Sequence, residues 1–204
     1  MTPSSDVAFT PAVKALQEAR GSRASYARME DHGGFRTAIT PDLQDFLAEI
    51  DTAYLATSNA TGQPYAQHRG GPKGFIQVID DHTLGFADFS GNRQYVTTGN
   101  LVDNDKAFLF LMDYAHKRRI KLWGHAHVSD DPALIARLMP ANYRAKGEQA
   151  ILFTVTAWDV NCPQHIPQKL NVADVETALH RLEARIAELE TENSALRAHK
   201  GATS

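Results

Sequence analysis

One cysteine, Cys162, stands in 204 residues, so no internal disulfide framework exists and a reducing compartment is the natural setting. No basic run is long enough for a nucleic-acid face. Lys117-Arg118-Arg119 with Lys121 is the only cluster, and the net charge is −3, so nucleic acid is not an expected partner. No apolar run reaches membrane-spanning length. The opening Met1–Asp6 has neither the basic nor the apolar region of a signal peptide. A cytoplasmic protein without membrane contact is the expectation. Several chemical signatures are also missing. There is no Gly-x-Gly-x-x-Gly turn for a dinucleotide, no Gly-x-Ser-x-Gly elbow for a serine nucleophile, and no His-Glu-x-x-His or Cys-x-x-Cys spacing for zinc.

What remains is an ordinary globular composition, 43% hydrophobic and 22% charged, enough for one domain with appendages. Thr10-Pro11 and Thr40-Pro41 each read as a helix start, threonine as cap and proline in the first turn. The second helix carries Leu43, Phe46, Leu47 and Ile50 on one face. The period then changes. Ala53–Thr57 and Pro64–Arg69 read as a hairpin closed by Asn59-Ala60-Thr61-Gly62. Phe75–Ile79, Thr83–Ala87, Lys106–Met112, Arg118–Val128 (one bent strand or a pair) and Gln149–Val160 read as further strands. Helices are expected over Arg93–Val102 and Asp131–Met139. Short hairpin strands with a few helices predict a mainly β, α+β fold: an antiparallel barrel with helical decorations.

The tail differs in kind. Val172, Leu179, Ile186 and Asn193 share one heptad position, and Val175, Leu182, Leu189 and Leu196 share the other. This predicts a C-terminal coiled coil, although a single amphipathic helix lying on its own barrel has a similar stripe. The expected division is 1–39 as a helical extension packed on the barrel, 40–167 as the barrel domain, and 168–204 as the heptad helix with its tail.

Candidate chemistry gathers at Leu84–Gln94. A strand ends at Phe89, Ser90-Gly91-Asn92 breaks it, and Arg93-Gln94 opens what reads as a helix capped by Ser90 or Asn92. Hydroxyl, amide, guanidinium and free N–H groups at a helix N-terminus suit a phosphate. An ordinary capped helix with a solvated arginine uses the same residues. Gln67, His68 and Arg69 are polar residues ending a strand, followed by Gly70-Gly71, which would let a ligand approach the backbone. The loop Asn161–Pro167 puts two amides, a thiol and an imidazole between stiffening prolines; it suits a polar ligand edge, or it is a satisfied turn into the tail. Cys162 and His165 lie close enough in sequence to raise thiol catalysis, and His125 and His127 share a strand face compatible with a metal, but no third ligand is visible and no metal is expected.

Taken in order, Gly62-Gln63-Pro64, Gly85-Phe86-Ala87-Asp88, Asn92-Arg93-Gln94, Asn104-Asp105-Lys106-Ala107, Phe108–Met112 and Leu122-Trp123-Gly124-His125-Ala126 resemble the FMN-binding split barrel of the pyridoxamine 5′-phosphate oxidase-like family. The segment Asn161–Ile166 resembles its bacterial "oxidase-related" members. The resemblance implies a homodimer with FMN at the subunit interface. It implies that Ser90, Asn92, Arg93 and Gln94 form the phosphate turn, that Gln67, His68 and Arg69 lie along the ring and ribityl chain, and that Arg119 reaches the ring from the neighbouring subunit. It sets Asn161 and Gln164 beside the ring, with Gln164 and His165 as candidate catalytic residues. Three departures matter. Gln94 stands where the oxidases proper have lysine, Gly70-Gly71-Pro72 stands where they continue the flavin strand with Leu-Leu-Lys, and their C-terminal Arg-x-His-x-Arg is absent, so a true pyridoxamine phosphate oxidase is not expected. An FMN oxidoreductase acting on an electron donor and a small molecule is. A non-catalytic flavin or haem sensor or storage protein, and a deazaflavin reductase on the same barrel, are the alternatives.

Overall fold

The computed structural model describes residues 2–202. Its chain contacts form two units, Met1–Asp113 with Lys117–His165, and Tyr114–His116 with Ile166–Ser204. In the first, helices α1 (Pro11–Ala19), α2 (Arg23–Asp31) and α3 (Pro41–Glu49) precede strands β1 (Thr52–Ser58), β2 (Pro64–Gly70), β3 (Gln77–Val78) and β4 (Thr83–Phe89). Helix α4 (Val96–Asp103), strands β5 (Lys106–Asp113) and β6 (Arg118–Ser129), helix α5 (Pro132–Leu138) and the long strand β7 (Gly147–Val160) follow.

One antiparallel sheet runs in the order β2-β1-β5-β6-β7-β4-β3. It curls into the antiparallel barrel that the hairpin pattern predicts, of the split form that the family resemblance implies. Its interior holds Leu55, Leu109, Leu111, Leu122, Ile151 and Phe153, all fully buried. Helix α3 plugs it with Leu43, Phe46 and Leu47, and each such side chain contributes roughly 1.5–3 kcal/mol by leaving water. The β1–β2 turn forms as its residues dictate. Asn59 Oδ1 accepts from the N–H groups of Thr61 at 3.0 Å and Gln63 at 2.9 Å, and Gly62 supplies φ 87°.

The expected single or paired strand at Arg118–Val128 is one strand, offset against β7 between Trp123 and Gly124. Glycine is required there, because a Cβ on Gly124 would sit 2.0 Å from the Thr154 carbonyl oxygen. Strand β3 is two residues rather than five; Phe75 and Ile76 turn into the core instead, both 2% exposed. The N-terminal extension closes over β7. Trp158 and Arg36 exchange backbone hydrogen bonds at 2.7 and 3.2 Å, and Trp158 Nε1 donates to the Ala38 carbonyl at 2.7 Å.

The second unit is the 31-residue helix α6 (Val172–Ala202) with its leader. Within it, Gln168 Nε2 donates to the Ala115 carbonyl at 2.8 Å, and the Lys169 ammonium lies 4.5 Å from the Tyr114 ring centre. No helix among the described residues is long and apolar enough to cross a membrane.

Candidate functional site

The turn after β4 is not the capped helix that Ser90-Gly91-Asn92 suggests. Helix α4 starts at Val96, and Tyr95 in the cap position makes no side-chain bond to the helix's own N–H groups. Arg93 and Tyr95 both take left-handed backbone, at φ 59° and 52°. Non-glycine residues adopt it at a cost, and such outliers collect at functional sites. Two side-chain contacts hold the turn. Asn92 Oδ1 accepts from the Gln94 N–H at 3.2 Å, and the Tyr95 hydroxyl donates to Glu148 at 2.7 Å. That bond to Glu148 raises the Tyr95 pKa. The Ser90 N–H is spent on the Lys146 carbonyl at 2.9 Å, and Ser90 does not line the cleft described next.

Between this turn and β2 lies a cleft of about 210 Å³, lined by Gln67, Arg69, Asn92, Arg93 and Gln94 together with Tyr65, Asp88, Thr97, Thr98 and Glu148. Tyr65, Gln67 and Arg69 share a face of β2 because strand side chains alternate. Helix α4 is anchored by Leu101 in the core and by Asn100 Nδ2 donating to Thr57 Oγ1 at 3.0 Å. This delivers Thr97 to Gln67, with the hydroxyl donating at 2.9 Å. Arg69 is ion-paired to Asp88, with side chains 10% and 16% exposed. Burial pushes the Asp88 carboxyl up, against the lowering pull of Arg69. Arg69 Nε is buried and has no acceptor. The site therefore offers an unsatisfied guanidinium N–H at Arg69 and a second, exposed arginine at Arg93 as donors for an anion, while the hydroxyl protons of Thr97 and Thr98 are already given to Gln67 and Gln149. Asp88 and Glu148 temper its charge.

The other candidates do not join that cleft within one chain. His68 points to the opposite face of β2, where its ring meets Tyr54 at 5.6 Å. Arg119 and the Asn161–His165 loop lie at the far end of β7, where the Asn161 N–H bonds the Arg119 carbonyl at 3.2 Å. Glu148 and Val160 stand at the two ends of that strand, separated by roughly 40 Å measured along it. Arg119 Nε, like Arg69 Nε, is buried without an acceptor. Gln164 and His165 are exposed, and His165 is left-handed at φ 62°. Gly70 and Gly71 make room for the chain itself, since a Cβ on Gly71 would meet Phe75 at 2.7 Å and one on Gly70 would meet His68 at 2.8 Å. Among the described residues no group of three His, Cys, Asp or Glu could hold a metal ion. Sequence reasoning missed Tyr65, Asp88, Tyr95, Thr97, Thr98 and Glu148. Tyr65 alone carried a signal, the alternation with Gln67 and Arg69.

The half-buried outer face of β1, β5 and β6 presents Tyr54, Phe108, Phe110 and Trp123. A more apolar groove of about 340 Å³ runs there past Val7, Phe108, Trp123 and His125.

Fold and cleft together define a split-barrel protein with an anion-compatible cleft beside its β4–α4 turn. The chain belongs to the pyridoxamine 5′-phosphate oxidase family, whose model matches residues 39–162. Solved structures with a similar fold include HupZ of Group A Streptococcus, at 18% identity and TM-score 0.50, covering 65% of this chain and 99% of that one. An FMN-binding protein from Syntrophomonas wolfei matches at 11% identity and TM-score 0.46, covering 71% and 97%. General Stress Protein 26 from Bacillus anthracis matches at 14% and 0.44, covering 57% and 88%. No curated protein matches the chain.

Proposed function

We propose that the chain is an FMN-binding oxidoreductase that passes electrons between a reduced donor and a small molecule, working as a homodimer with a cofactor at each subunit junction. The buried, acceptor-less Arg69 Nε in the cleft wall carries this reading. A buried guanidinium edge left unpaired costs free energy that an anionic ligand would recover. Arg93, Gln94 and the turn's backbone would hold the phosphate, with Gln67 and Arg69 beside the chain that leads to the ring. The flavin supplies the electron chemistry; the protein binds, orients and tunes it.

Arg119, Asn161, Gln164 and His165 are too far along β7 to serve the same chain's cleft, so in this reading they complete the cleft of a second copy. The second orphaned guanidinium, Arg119 Nε, supports that role. The half-buried aromatic face of β1, β5 and β6, continued on β2 by His68, is the surface the second copy would cover. Without an Arg-x-His-x-Arg segment to grip a second phosphate, pyridoxamine phosphate is not the substrate.

Mass spectrometry of the cofactor released from purified protein tests the first half: FMN is expected, and a deazaflavin or haem overturns it. Anaerobic stopped-flow mixing of the FMN-loaded protein with NAD(P)H and other reduced donors tests the second. Bleaching of the flavin absorbance within seconds is expected, and a flavin that no donor reduces makes the protein a passive carrier.

A further inference from the structure

Helix α6 has not buried its apolar stripe. Val172, Leu179 and Ile186, at the first heptad position, are 72%, 51% and 56% exposed; Leu182, Leu189 and Leu196, at the second, are 61%, 45% and 61% exposed. Seven-residue recurrence through a helix of 31 residues makes a continuous, slowly winding seam suited to another helix in a left-handed supercoil. We propose that α6 pairs with α6 of a second copy of this chain as a parallel, in-register, two-stranded coiled coil.

Charge complementarity selects the partner and its direction. In a parallel pair, each residue just before a first core position faces the residue just after a second core position, five places further along the other helix. Arg185 then meets Glu190 of the second copy, and Glu192 meets Arg197. Symmetry makes each contact twice, and Ala178 against Glu183 adds no repulsion. In an antiparallel pair the same flanks face themselves. Arg185 would oppose Arg185, and Glu176, Glu183 and Glu190 would oppose one another. Like charges held together are destabilising. Within one helix Arg185 bonds Glu188 at 2.9 Å, but the two are 61% and 67% exposed. Such a pair is worth little and does not keep Arg185 from the second copy.

Asn193 sets the register. In the parallel, aligned pair it lies against its own twin, where two side-chain amides satisfy each other. A reversed pair sets it against Val175, and a parallel pair shifted by one heptad sets it against Ile186, leaving a buried amide without a partner. The β-branched Val172 and Ile186 at the first position, with leucine dominating the second, favour two strands over three or four.

The test uses the full-length chain with the exposed Cys162 replaced by serine. Val175→Cys and Leu196→Cys are made singly and oxidised. The two sites are about 31 Å apart along the helix at 1.5 Å per residue. Each variant alone is expected to form a disulfide-linked dimer within the same helix layer, while Thr191→Cys, on the outer face, stays monomeric on a denaturing gel. Cross-linking only in the mixture of the two variants shows an antiparallel pair and overturns the proposal. Cross-linking in none, or equally at position 191, shows that no specific pair forms and also overturns it. In the Leu196→Cys chain, Arg185→Glu is expected to slow disulfide formation severalfold, and adding Glu190→Arg to restore it. A rate indifferent to both changes overturns the register, because Arg185 and Glu190 would then not face each other.

Discussion

Arg69 on β2 and Asp88 on β4 are ion-paired although four strands, β1, β5, β6 and β7, stand between theirs in the sheet. Only the curl of the sheet brings them together. No ladder of backbone hydrogen bonds joins β2 to β4, so this pair clasps the open seam of the barrel. It is also the wall of the cleft. The residue that closes the fold is therefore also the one whose Nε–H is buried without an acceptor.

Arg93→Ala should weaken FMN binding about ten- to a hundredfold, the worth of one charge-assisted contact of roughly 1.5–3 kcal/mol. Arg93 is exposed, so the melting temperature should stay near wild type. Quenching of flavin fluorescence on titration measures the first, and a thermal scan the second. Unchanged affinity would remove Arg93 from the site.

Asp88 gives the cleft a pH dependence. Burial raises its pKa above the ordinary 3.8, so the folded state prefers the protonated form. The stability linked to that preference is fully present below the unfolded value and is lost as pH rises through the folded one. For a ligand the sign is the same, because ionised Asp88 competes for Arg69. Affinity for FMN should rise as pH falls through this raised pKa. Asp88→Asn should flatten the dependence. The ratio of mutant to wild-type affinity across pH cancels the phosphate's own titration; a constant ratio would show that Asp88 does not compete.

The regular elements were legible because their signals are local: Thr-Pro starts for α1 and α3, alternation for β2, and Asn59 with Gly62 for the hairpin. The β4–α4 turn was legible as a donor cluster but not as a shape. Its left-handed residues are Arg93 and Tyr95, where no glycine announces the turn, and its hold on Glu148 spans 53 residues. Trp158 lies on the strand face with Thr154 and Thr156, both exposed, yet is 1% exposed. Its cover comes from Arg36 and Ala38 through a pairing that periodicity cannot reveal. The separation of Asn161–His165 from Arg93 depends on the register of β4 against β7, which is non-local for the same reason.

Gly124→Ala should destabilise the barrel by about 3 kcal/mol, the upper end for forcing an atom into packed space. Backbone, not a flexible side chain, occupies that space. The midpoint of urea unfolding reads the loss, and a change under 0.5 kcal/mol would mean that β6 can slide away from the Thr154 carbonyl.

Gln164→Ala and His165→Ala should shift the flavin's reduction potential or its rate of reduction while leaving the melting temperature unchanged, since both side chains are exposed. Cys162→Ser should have a smaller effect. If spectrum, potential and kinetics are unchanged in both Gln164→Ala and His165→Ala, the loop is a structural turn.

Asn193→Leu should raise the thermal stability of the paired tail and broaden its assembly, since the buried amide costs stability but restricts strand number. Sedimentation of the full-length chain should show species beyond the wild-type assembly. A distribution identical to wild type would remove Asn193 from that role.

The length of β7 has a genetic consequence. With Glu148 at one end and the Asn161 loop at the other, in the proposed dimer a defect at Arg93 and a defect at His165 would damage the same functional centre from different polypeptides. Two inactive alleles could then complement each other. In a randomly mixed population of Arg93→Ala and His165→Ala subunits, half of the dimers are hybrids, and in each hybrid one centre collects both lesions while the other receives neither. About a quarter of all centres would be wild type in every residue, from parents that have none.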